Sequence, residues 1–148
     1  MLADTPRPTV MTAQEIDDFL AVEFPQMQYG GKSFFIEEVR PLGARARMVY
    51  HERHIRPGGT ISGPSMMSLA DYTMYIALLA QIGPVALAVT TNLSINFLRK
   101  PARRDMLADC RIIKLGRRLA VGEVSLFSDG ETDMAAHVVT TYSIPDRR

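Results

Sequence analysis

Apolar residues change period along the chain, and the changes mark its elements. Ile16, Phe19 and Leu20 recur at helical spacing behind Thr12-Ala13-Gln14-Glu15, a capping-box pattern, and Pro25 marks the helix end. Residues 1 to about 11 read as a loose tail, and the helix as a cover over a sheet or a pocket entrance. Gly30-Gly31 is a turn and 34–39 a strand. A second strand, 44–51, alternates Ala46, Met48 and Tyr50 with Arg45, Arg47 and His51. A glycine-rich loop from Gly58 then runs into a helix over about 64–80. Ser62 or Gly63 is its N-cap, Pro64 suits its first turn, and Gly83-Pro84 ends it. This helix is apolar on nearly every side, which predicts burial all round. Strands over 86–98, 106–114, 119–128 and 134–144 follow, with turns at Gly116-Arg117 and Asp129-Gly130. The order predicts an α+β fold, an antiparallel sheet wrapped around a long central helix. Residues 1–30 are a tail and helix belonging to the same single domain as 31–148.

Composition narrows the function classes. A net charge of +1 does not point to nucleic acid or to an anionic membrane, and the basic residues lack the aromatic neighbours of a stacking surface. The single cysteine, Cys110, cannot form an intrachain disulfide, which fits a reducing compartment. No run of about 18 apolar residues predicts a membrane span. The N-terminus lacks the basic-then-apolar order of a signal peptide, so a cytoplasmic location is expected.

The candidate chemistry centres on Asp71, a carboxylate within the apolar helix. Burial there is costly without partners, so Asp71 is either a bonded structural residue or a catalytic group. The helix N-terminus offers free N–H groups and a positive dipole end, which can hold an oxyanion; Gly63 allows close approach, with Ser62 beside it. Ser62 fails the Gly-x-Ser-x-Gly elbow, which argues against a serine nucleophile. His51 and His54 lack accompanying metal-ligand spacing and read as surface or turn residues, and His137 as solvated, so no metal site is expected. Arg99, Lys100, Arg103 and Arg104, with Lys114, Arg117 and Arg118 at the next hairpin, form either a phosphate-binding rim or solvated turns.

Three blocks carry a resemblance: 58–71; Thr90-Thr91-Asn92-Leu93-Ser94-Ile95-Asn96-Phe97-Leu98-Arg99-Lys100-Pro101; and Lys114-Leu115-Gly116-Arg117-Arg118-Leu119-Ala120. Together the chain resembles the hotdog-fold acyl-CoA thioesterases of the phenylacetate-degradation (PaaI-like) type, over about residues 35–145. The resemblance implies a hotdog domain over 31–148 that pairs edge to edge as a homodimer or homotetramer. It implies an acyl-CoA substrate, with CoA part of the substrate and no separate cofactor. The Gly63 N–H would polarise the thioester carbonyl, and Asp71, facing the partner subunit, would act as general base or nucleophile. Thr90 would help hold the water or carboxylate from across the dimer. Arg99, Lys100, Arg103, Arg117 and Arg118 would meet CoA, and Arg56 stands about where some members carry an Asn that helps at the carbonyl. Met67, Met74 and Tyr75, with the N-terminal helix and Phe19, would line the acyl pocket; Ser62 and Asn92 complete the substrate-binding set. Ser62 departs from the family's usual His and Pro64 from its second Gly. The alternative is therefore a non-catalytic acyl-CoA-binding or regulatory hotdog protein.

Overall fold

The computed structural model describes residues 8–146. Helix α1 (Ala13–Glu23) has the capping box, with Thr12 Oγ1 accepting from Glu15 N and Glu15 Oε1 accepting from Thr12 N. Pro25 stops α1 and opens a 3-10 turn, Pro25–Gln28. Strands β1 (Phe34–Arg40) and β2 (Gly43–Met48) form a hairpin. Helix α2 (Gly63–Ile82) follows, then β3 (Val89–Phe97), β4 (Met106–Leu115), β5 (Leu119–Ser128) and β6 (Ala136–Ser143). The strands make one antiparallel sheet in the order β1-β2-β4-β5-β6-β3, the hotdog arrangement, with α2 packed on its inner face.

The sheet encloses α2 because α2 has apolar residues to bury on most of its circumference. Leu69, Ala70, Met74, Ile76, Ala77, Leu78, Leu79 and Ala80 are all fully buried. The sheet reaches the helix closely through small residues: Ala44, Ala46, Ala108 and Ala120 are fully buried, and a Cβ on Gly122 would lie 2.5 Å from Met74 Sδ. Met74 therefore fills the sheet–helix gap, with Cys110 Sγ 3.7 Å from its sulfur, and does not line an acyl pocket. Burial pushes the Cys110 thiol up to about 12, so it stays protonated and packs as an apolar residue.

Several expected boundaries shift for identifiable reasons. The second strand ends at Met48 rather than 51, because Glu52–His54 forms a 3-10 turn capped by His51 Nδ1. Residues 86–88 do not join β3; Ala88 N donates to Val85 O in a turn behind Gly83, whose φ of 98° ends α2. The last strand covers Ala136–Ser143, not 134–144, because the turn at Asp129-Gly130 opens a longer connection through Ala135 rather than a tight hairpin. Residues 1–7 of the expected loose tail lie outside the described residues. The part that follows is held: Val10 N donates to Ala80 O at 2.7 Å, and Gln81 Nε2 donates to Pro8 O at 3.3 Å.

Gly122→Ala places a methyl group 2.5 Å from the sulfur of the fully buried Met74 and 3.3 Å from the Arg111 carbonyl oxygen. The substitution should cost about 1–3 kcal/mol, read as a lower urea midpoint with an unchanged slope.

Candidate active site

Asp71 sits in the third turn of α2, where the helix passes the β3–β6 edge. Its Oδ1 accepts from Tyr142 Oη at 2.8 Å and from Thr90 Oγ1 at 2.5 Å. Tyr142 Oη also lies 3.2 Å from Asp71 O. The register explains the cluster, since Thr90 on β3 is directly opposite Tyr142 on β6. Among the described residues no group donates to Asp71 Oδ2. Burial, and then the Asp71 charge, push the Tyr142 phenol well above its usual value, so it remains a donor. The carboxylate thus has one oxygen fixed by two hydroxyls and one available. Asp71 opens into a cavity of about 380 Å³, whose wall includes Tyr75, Phe34, Met27 and Phe24. Tyr75 Oη donates to Ala86 O at 3.1 Å and its ring stacks on Tyr142 at 6.0 Å, which fixes this wall.

The helix N-terminus faces elsewhere. Ser62 is the N-cap: its Oγ accepts from Ser65 N at 3.2 Å and donates to Ser65 Oγ at 2.8 Å. Met66 N bonds Ser62 O, and Pro64 has no N–H, so the Gly63 N–H is the free donor of the first turn. Gly63 packs on Phe97, whose ring would lie 3.0 Å from an added Cβ. It lines a second cavity, of about 420 Å³, with Arg56, Phe97, Arg99 and Lys100. Gly63 and Asp71 are eight positions apart, about 12 Å along the axis, and share no cavity within one chain.

The loop that presents Gly63 is braced. Arg56 N donates to Thr60 O, Ile55 pairs with Ile61, and Arg103 Nε donates to Gly59 O at 2.8 Å. Arg103 is thus engaged in holding the loop. Arg99 is paired with Asp133 at 3.2 Å. Arg56, Lys100, Lys114, Arg117 and Arg118 have no ion pair among the described residues. Met67 and Asn92 are exposed and line neither cavity. Phe19 packs against the core, and Phe24 stands at the cavity in its place.

Two expectations are corrected by these contacts and a third is narrowed. Thr90 reaches Asp71 within one chain rather than from across a dimer. His54 is a turn residue, as one of the two readings had it, but a buried one: it ends the Glu52–His54 turn, is 8% exposed, its carbonyl accepts from Ser62 N at 2.7 Å, and its Nδ1 has no partner among the described residues. His137 is half-buried and lies 3.2 Å from Glu123 Oε2. Tyr142 is the site residue that sequence reasoning missed. Its place on the inward face of the last strand was visible; its pairing with Thr90 was not. No group of three or more His, Cys, Asp or Glu among the described residues is placed to hold a metal ion. No helix among them is long and apolar enough to cross a membrane.

Fold and site together define a hotdog protein with a carboxylate on its central helix. The Thioesterase superfamily model matches residues 58–135, and the chain belongs to that superfamily. A protein named "putative thioesterase" from Silicibacter sp. has a crystal structure that superposes with a TM-score of 0.87 at 44% identity, covering 99% of this chain and 100% of its own. A protein named "putative esterase" from Halobacterium salinarum is 30% identical over 131 residues, covering 82% of this chain and 86% of its own length. The phenylacetic acid degradation protein PaaI from Thermus thermophilus, in a mutant form, shares the fold at 23% identity, over 82% of this chain and 99% of its own, with a TM-score of 0.69.

Burial, then Arg53 and His51 nearby, hold the His54 imidazole below its usual 6.5. The unfolded chain therefore takes up the proton first. The stability that neutral His54 contributes is full above about pH 6.5 and is lost as pH falls through the folded value. The melting temperature of His54→Gln should accordingly fall less between about pH 7 and about pH 5 than that of the wild type. Equal falls would place the acid sensitivity in another group.

Proposed function

We propose that this chain is an acyl-CoA thioesterase of the PaaI-like type whose active site is completed by a second copy. One observation carries the reading: the free Gly63 N–H and the Asp71 carboxylate stand at opposite ends of the same exposed edge strand. Gly63 touches Phe97 at the end of β3, and Asp71 is bonded to Thr90 at its start. Strand β3 is open along one side, and Val89 and Phe97 are 53% and 51% exposed. Two copies joined antiparallel through β3 about a two-fold axis set the Phe97 end of one against the Val89 end of the other. The Gly63 pocket of one subunit then adjoins the Asp71 cavity of its partner, twice per dimer.

The chemistry follows from the two halves. A thioester carbonyl placed at Gly63 receives its N–H and the positive end of the α2 dipole, which stabilise the oxyanion. Asp71 of the other subunit, with Oδ1 held by Tyr142 and Thr90, uses its available Oδ2 to take a proton from water or to attack the carbonyl itself. Collapse of the tetrahedral adduct expels the CoA thiolate; on the nucleophilic route water then cleaves the aspartyl anhydride, which releases the acid and restores Asp71. Arg56 and Lys100 beside Gly63 are the candidates for the anionic carrier. So are Arg117 and Arg118, because Ala120 pairs with Tyr142 and places the β4–β5 turn at the Thr90 end. Ser62 serves as the N-cap, so replacement of the usual His leaves the Gly63 donor in place. Asn92 pairs with Thr141, on the sheet face opposite the buried Thr140 and Tyr142, and Met67 lines neither cavity, so this arrangement gives neither residue a substrate contact.

Thiol release from acyl-CoAs tests the reading. Asp71→Asn should lower kcat by about 100-fold or more. Gly63→Ala should also be nearly inactive. Co-expressed, the two variants form heterodimers with one intact site, and activity should recover to roughly a quarter of wild type. No recovery would overturn the composite site. Wild-type binding of acyl-CoA without thiol release would point instead to the acyl-CoA-binding alternative. Ser94→Lys, near the middle of β3, sets like charges against each other across the axis; it should yield monomers in sedimentation and lose activity with them.

A further inference from the structure

The Asp71 cavity ends on a partition that two independently anchored parts of the chain supply. Phe24, Met27, Phe34 and Tyr72 line the cavity on one side and a void of about 20 Å³ on the other. Behind the void lie Leu20 and the Lys32–Asp17 ion pair, 3.5 Å apart. Phe34 and Tyr72 belong to β1 and α2, with rings 5.1 Å apart and Tyr72 only 6% exposed, so they are fixed. Phe24 and Met27 belong to the junction of α1 and the Pro25–Gln28 turn. Phe24 is 47% exposed, and Met27 has the most adaptable of the apolar side chains. The junction lies outside the residues matched by the superfamily model.

We infer that Phe24 and Met27 form the end wall of the acyl subsite and set the longest acyl chain the protein accepts. The inference rests on the proposed thioesterase reading, which puts the reacting carbonyl at the Asp71 end of the cavity. An acyl chain entering there runs along Tyr75 and Phe34 and stops at Phe24 and Met27. The space beyond holds at most a single water. Each methylene that the cavity can still bury adds about 0.8 kcal/mol, or about fourfold in kcat/KM, and the gain stops at the wall. The ligand class is a straight-chain or aryl acyl thioester whose length is bounded by these two side chains.

The experiment measures kcat/KM, and Kd by calorimetry on the Asp71→Asn background, over a series of straight-chain acyl-CoAs from acetyl to dodecanoyl. Phe24→Ala and Met27→Ala should join the cavity to the void and move the optimum to chains longer by about two carbons or more. Met27→Phe should move it to shorter chains. Phe19→Ala, which removes a core contact of α1 away from the cavity, should leave the profile in place; it controls for simple loosening of the helix. Profiles identical to wild type in Phe24→Ala, Met27→Ala and Met27→Phe, or an equal shift in Phe19→Ala, would overturn the inference while leaving the thioesterase reading standing. If no acyl-CoA is hydrolysed, that reading falls, and the Kd series decides the inference by the same shifts.

Discussion

Everything in this molecule depends on the burial of α2. A helix with apolar residues around most of its circumference has no stable surface position, and the six-stranded sheet curls around it through a row of alanines and Gly122. Once enclosed, the helix has a fixed direction relative to the strands. It runs opposite to β3, so its N-terminus meets Phe97 and its middle meets Thr90. The spacing of donor and carboxylate is therefore set by helix geometry, about 1.5 Å per residue, and not by a loop.

That direction makes the single chain chemically incomplete in the proposed reading. The oxyanion donor and the carboxylate are held rigidly, each with its own cavity, and too far apart to act on one carbonyl. An edge strand open along its length is a liability for a monomer and the natural means of joining the two halves. The same edge supplies Thr90, which together with Tyr142 makes a carboxylate tolerable on a mostly buried helix. In that reading the polar cluster has two roles: it satisfies Asp71 Oδ1 and leaves Oδ2 available for the reaction.

Much of the fold was legible in the sequence because the local signals agreed with the global one. The Thr12–Glu15 capping box, the Ser62-Gly63-Pro64 helix start and the alternation of Ala46 and Met48 with Arg45 and Arg47 formed as their chemistry predicts, while Tyr50 and His51 fall beyond the end of the strand. The misplaced boundaries fell where non-repeating hydrogen bonds decided: the His51 side chain capping a 3-10 turn, and backbone bonds of Asp129, Glu131 and Ala135 holding a long connection. Arg103 and Arg99 read alike in the sequence, yet one braces the Gly59 loop and the other pairs with Asp133. Charge clusters do not reveal their partners, because those come from distant strands.

Periodicity and turn chemistry alone specify the helix and its enclosing strands, the caps, and the isolated position of Asp71. The surroundings of Asp71 come from packing. Tyr142 is 71 positions away in the chain and reaches the carboxylate because β6 lies beside β3, a crossover that no local pattern encodes. Packing also decided that Met74 lies in the core and that Phe24 stands at the cavity. Both outcomes depend on which face of each element turns towards the other, and that is fixed only when the elements pack.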